Sequence, residues 1–185
     1  MINLDLPETL PKSDRDEIKR EVGEYVKTAI LDYVGDGKSP VSGRAFKKLS
    51  GEYAEREKGG RTLPNLELEG DMLNSLDFRV VEKGVEVGIF DSSQAPKAYN
   101  HNVGDTLPKR QFIPAARQSF VGEIEAGIKE IVNEKLREAV ASRLEPAERP
   151  RQTPSDTRAT AEILADRESR VNFAIANLVR GILGG

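Results

Sequence analysis

Residues 66–114 read LELEGDMLNSLDFRVVEKGVEVGIFDSSQAPKAYNHNVGDTLPKRQFIP, and this stretch decides the fold. Within it, residues 78–82 and 85–90 flank Lys83-Gly84, which predicts a β-hairpin whose turn uses glycine at positive φ. Val85, Val87 and Ile89 alternate with Glu86 and Gly88, the pattern of a half-buried strand. Two strands alone are marginal in water. A third is therefore expected, and Arg110-Gln111-Phe112-Ile113 fits it best. Residues 70–75 predict a helical turn that buries Met72, Leu73 and Leu76, and residues 98–103 a short helix ended by Gly104.

Outward from this stretch the chain turns helical. Ser13, Asp16 and Glu17 supply an N-cap and acids for the positive end of a helix over 14–34. Its apolar stripe is Ile18, Val22, Tyr25, Val26, Ala29, Ile30 and Tyr33, and Gly35-Asp36-Gly37 stops it. Residues 36–65 are polar and punctuated by Gly and Pro, with a short helix over 50–58. A long helix over 115–144 carries Phe120, Ile124, Ile128, Ile131, Val132, Leu136, Ala139, Val140 and Leu144. The expected fold class is α+β: a small antiparallel sheet, made of the hairpin 78–90 and a strand near 110–113, packed with long helices. The expected organisation is an arm (1–12), an α+β domain (13–144), a Pro-rich linker (145–156) and a C-terminal helix (157–185).

Composition narrows the function. The 185 residues are 37% apolar and 32% charged, with six Phe, four Tyr and no Trp, so the core is modest. Acids outnumber bases 31 to 28 and are interspersed with them, which argues against a dedicated nucleic-acid binder. The densest basic runs are Arg44 with Lys47-Lys48, and Lys109-Arg110. No cysteine is present, which removes disulfides and thiolate chemistry. No basic-then-apolar leader opens the sequence, and no apolar run approaches the ~20 residues of a membrane span.

Chemistry-bearing patterns are sparse. His101 is the only histidine, so it reads as a packing or hydrogen-bonding residue near a subunit contact before it reads as a base. Glu67, Glu69 and Asp71, and likewise Asp14, Asp16 and Glu17, are weighed as cation ligands, with a solvated surface as the default. Neither the dinucleotide fingerprint nor the P-loop occurs. Phe112 and Ile113 either fill the core with Arg110 paired to an acid, or lie against a neighbouring subunit. In the last helix Ala161, Leu164, Glu168, Val171, Ile175, Leu178 and Ile182 recur at three- and four-residue steps. That seam either folds back or, as the acid in it and the preceding linker favour, docks on another chain; the linker spans roughly 35 Å when extended.

Six segments in order resemble the tail-completion and virion-morphogenesis (neck) proteins of tailed bacteriophages. They are the helix 14–34 followed by Asp36-Gly37-Lys38-Ser39-Pro40; residues 49–58; 66–76 with Gly70-Asp71-Met72 and Ser75-Leu76; Val85-Glu86-Val87-Gly88; Tyr99-Asn100-His101-Asn102-Val103-Gly104; and Arg110-Gln111-Phe112-Ile113-Pro114. The sequence departs from the pattern at Tyr99, where the family usually has Tyr-Ala before a hydrophobic residue and Tyr99-Asn100 stands here, and in carrying residues 145–185. The resemblance implies a non-enzymatic α+β subunit without cofactor or metal, forming a homo-oligomeric ring between head connector and tail. The implied partners are copies of itself, portal-side proteins, and tail-tube or terminator proteins. No membrane is implied, and contact with DNA would be indirect through the channel. The implied location is the virion neck, with the host cytoplasm during assembly. The alternatives are a tail terminator capping the tube or, in another class, a DNA-associated accessory protein. The interface expected from these readings comprises Tyr99, His101, Arg110, Phe112, Leu164, Val171, Ile175, Leu178 and Ile182.

Overall fold

Strict four-residue spacing of apolar side chains builds the two long helices. The computed structural model describes residues 1–57, 59–60, 62, 64, 66, 70–105 and 107–144. In α1 (Lys12–Gly35) the buried apolar side chains are Ile18, Val22, Val26, Ile30 and Val34. In α5 (Gly122–Leu144) they are Ile124, Ile128, Val132 and Leu136, and Phe120 extends the row just before the helix. Such i, i+4 rows place each side chain on one face. Between the long helices lie α2 (Gly51–Glu57), α3 (Asp71–Asn74), β2 (Leu76–Val81), β3 (Gly84–Ile89) and α4 (Ala95–Val103), and β1 (Ile2–Asn3) precedes α1. The fold is α+β, as expected. No helix among the described residues is long and apolar enough to cross a membrane.

The chain divides into two compact units. One holds Met1–Leu4 and Lys19–Lys129, and the other Asp5–Ile18 with Glu130–Gly185, of which residues 130–144 are described. In the second unit Arg143 binds the Asp14 carboxylate at 3.2 Å, and Lys135 lies 3.8 Å from Glu17 and 3.1 Å from Glu138. Leu10 is buried there, its N–H donating to the Pro7 carbonyl. The first turn of α1 begins at Pro11, whose carbonyl accepts from Arg15 N–H. The Ser13 hydroxyl bonds Asp14 instead of capping the helix.

In the first unit α1 ends in a Schellman motif. Gly37 N–H donates to the Val34 carbonyl and Lys38 N–H to that of Tyr33, with Gly37 at φ 72°. The Tyr33 hydroxyl donates to Glu123 at 2.7 Å, and Tyr25 packs over Gly127, where a Cβ would collide with its ring. The sheet has the order β1-β3-β2, all antiparallel. α1 crosses it at Gly23, where a Cβ would strike the Phe78 ring. Lys19 is buried, and its ammonium donates to the carbonyls of Val81 at 3.0 Å and Glu82 at 2.8 Å, fastening helix to hairpin.

Three expectations need correction. The hairpin turn is Glu82-Lys83, because Val81 pairs with Gly84, and Gly84 already belongs to β3. Its glycine is required for another reason: a Cβ there would run into the Ile2 carbonyl of β1. The third strand is accordingly β1, from the expected arm, with Ile2 opposite Val85 and Asn3 opposite Gly84. Residues 110–113 form no strand, since their main chain is bonded elsewhere. The Asn102 side-chain oxygen accepts from the N–H groups of Phe112 and Ile113, its amide donates to the Ile113 carbonyl, and the Ser39 hydroxyl donates to the Gln111 carbonyl. Finally, α5 begins at Gly122 and not near Ala115, because Arg117 takes a left-handed φ of 65° that a helix cannot hold. The expected linker 145–156 and last helix 157–185 lie outside the described residues.

Two stability measurements check this account. Replacing Gly84 by Ala should lower unfolding free energy by roughly 1–3 kcal/mol, with β1 amides losing hydrogen-exchange protection before those of β2. Asn102→Ala leaves the Phe112 and Ile113 N–H groups unmet, while the Ile113 carbonyl keeps its bond from the Gln111 amide; it should cost about 2–4 kcal/mol in urea unfolding, with Asn102→Asp less harmful because both accepting bonds survive.

Candidate functional site

A short helix with a glycine stop sets out the site. The Asp91 carboxylate accepts from the N–H groups of Ser93 and Gln94, and the Asp91 carbonyl accepts from Ala95, which starts α4. Pro96 fits the first turn, and Gly104 ends the helix at φ 81° with its N–H on the Asn100 carbonyl. A Cβ at Gly104 would meet the Lys109 backbone, so the chain doubles back tightly and brings Arg110 beside His101. Arg110 N–H donates to the His101 carbonyl at 2.8 Å.

This return closes one wall of a cleft of about 920 Å³. Lys97, Asn100 and His101 come from α4 and Gln94 from its N-cap, Met72 from α3, and Tyr53 from α2; Lys47, Lys48 and Leu49 precede α2, while Leu107, Pro108 and Arg110 follow α4. The size falls within the range of ligand pockets. Asp71 is the only acid among the described lining residues, against three lysines and an arginine.

The electrostatics of the wall are unusual. Arg110 is only 7% exposed, yet no carboxylate among the described residues pairs with its guanidinium, and its Nε is buried without an acceptor. Burial pulls its affinity for a proton down, slightly opposed by Tyr53. His101 Nδ1 and Gln94 Oε1 are likewise buried without partners. Burial, and secondarily the Arg110 charge, hold the His101 pKa below its ordinary value, so the ring is neutral at pH 7.

Of the expected interface residues, the structure brings His101 and Arg110 together and separates the other two. Phe112 is fully buried in its own chain, as the core reading expects, but the acid which that reading pairs with Arg110 is not found among the described residues. Tyr99 is 63% exposed but does not line the cleft. Leu164, Val171, Ile175, Leu178 and Ile182 lie outside the described residues, as do Glu67 and Glu69. Asp14 and Glu17, weighed as cation ligands, face Arg143 and Lys135. Among the described residues no group of three His, Asp or Glu side chains gathers to hold a metal ion. Nothing in the surrounding sequence marks Gln94 and Lys97, which line the cleft, or Asn102, which holds the segment carrying Arg110.

No protein-family model, curated protein or solved structure matches this chain.

The depressed His101 pKa gives a pH prediction. The unfolded chain takes up a proton near the ordinary histidine value of about 6.5, before the folded chain does, so stability falls as pH drops below that value. His101→Gln should flatten this limb, read as the change in urea midpoint between neutral and mildly acidic buffer. An unchanged slope would place the loss on the carboxylates instead.

Proposed function

We propose that the chain is a structural virion subunit of the bacteriophage neck, assembling as a ring between the head connector and the tail. The six ordered segments of resemblance support the reading. The structural observation that carries it is an exposed apolar strip on and just beyond α4. Tyr99, Val103 and Leu107 are 63%, 46% and 41% exposed, and they follow one another at four-residue steps. Tyr99 and Val103 share a helix face. Half of the large exposed apolar side chains in the described part of the molecule thus fall within nine residues, beside a cleft lined by three lysines and an arginine. A ring is built from heterologous contacts, in which one patch of each subunit meets a different patch on the next. An apolar strip flanking a polar cleft supplies one such patch, with an arginine of the kind that anchors interfaces.

Assembly tests the proposal. Mass photometry of the purified chain, alone and mixed with portal, connector and tail-tube proteins, should show either a ring-sized oligomer or co-assembly. The double substitution Tyr99→Asp with Val103→Asp should weaken that assembly at least tenfold while leaving the melting temperature of the isolated chain within a few degrees. A chain that stays monomeric and ignores every one of these proteins defeats the reading.

A further inference from the structure

Among the described residues of the first unit two cations are buried, and the fold treats them differently. Lys19 is met by two carbonyls. Arg110 is met by none of the described side chains, although taking an unpaired charge out of water costs several kcal/mol. Beside it, in the same wall, His101 Nδ1 and Gln94 Oε1 are unmatched as well. Orphaned buried polar atoms are few in native proteins, and each calls for an explanation. Here three of them share one wall of one cleft.

Their chemistry describes a missing complement. Arg110 asks for an oxyanion, and its planar fork suits a carboxylate. Gln94 Oε1 asks for a hydrogen-bond donor. Lys47, Lys48 and Lys97 surround the cleft with positive charge on a molecule whose net charge is −3, which favours an acidic visitor. Met72 and Leu107 add apolar wall that a free inorganic anion would leave uncovered. The geometry points to a docking site for an acidic peptide segment: an Asp or Glu carboxylate on Arg110, a main-chain N–H on Gln94, and an apolar side chain against Met72 and Leu107. This site does not depend on ring assembly. Peptide binding is measured on the isolated chain, so either result can fail without the other.

The probe is a capped peptide carrying one Glu between two Leu residues, titrated into the isotope-labelled full chain by NMR and by calorimetry. Its Gln counterpart, inorganic phosphate and a short single-stranded DNA serve as the other arms. The acidic peptide should shift the resonances of Gln94, His101 and Arg110, and the Gln peptide should bind about ten- to a hundredfold more weakly. Arg110→Gln should abolish the difference between the two peptides while leaving the melting temperature unchanged or raised, since it removes an unpaired buried charge. Should that variant fold poorly, Lys97→Glu at the exposed edge of α4 should still reduce affinity for the acidic peptide and not for its Gln counterpart. Equal binding of the two peptides overturns the inference, and so does binding of neither. Tighter binding of phosphate or DNA to the same residues overturns it in favour of a free or nucleic-acid oxyanion.

Discussion

The side-chain amide of Asn102 takes three main-chain partners from one short segment, and much of the first unit follows from that clasp. A segment whose N–H groups are already spent on a side chain has no ladder to offer a sheet. Held this way, residues 110–113 run as irregular chain, with Phe112 inserted into the core and Arg110 turned into the wall of the cleft. The opposite side of the segment is fixed by the Ser39 hydroxyl, whose own oxygen accepts from Val41 and Ser42 N–H groups. One amide and one hydroxyl thus do for this segment what a neighbouring strand does elsewhere.

The sheet is completed from the other end of the sequence for the same reason. With residues 110–113 withdrawn, the open side of β3 is taken by Ile2 and Asn3, and Leu4 N–H extends the contact to the Lys83 carbonyl. Close passage of β1 is possible because position 84 carries no side chain. The hairpin tip is then held from α1 by Lys19. These choices are coupled. A β-carbon at 84 or a lost amide at 102 each disturbs which segment lies against which.

What could be read from the sequence was whatever repeats at short range. Rows such as Ile18-Val22-Val26-Ile30 and Ile124-Ile128-Val132-Leu136 announce helices because each buried residue predicts the next. Val85-Glu86-Val87 announces a strand in the same way. A two-residue strand at Ile2 has no period, and its partner lies far along the chain, so nothing local marks it. A glycine after a lysine reads as turn chemistry, which puts the expected turn one position late, while in the structure the missing side chain of Gly84 serves a tertiary approach. The cleft was least legible. Lys47, Gln94, His101 and Arg110 lie far apart in sequence yet line one cleft, and it is the tight return at Gly104 that brings Arg110 back to His101.

Pairing Ile2 with Val85 also sets an order of events during synthesis. The first strand leaves the ribosome long before the strand it must join, and it waits unpaired while α1 and the loops after it emerge. Closing so distant a pair is entropically slow. Until it closes, β3 presents a bare row of donors and acceptors to any extended chain nearby. The nascent protein therefore passes through an interval in which a foreign strand can take the place of its own, and crowded translation would be where that exchange is most harmful.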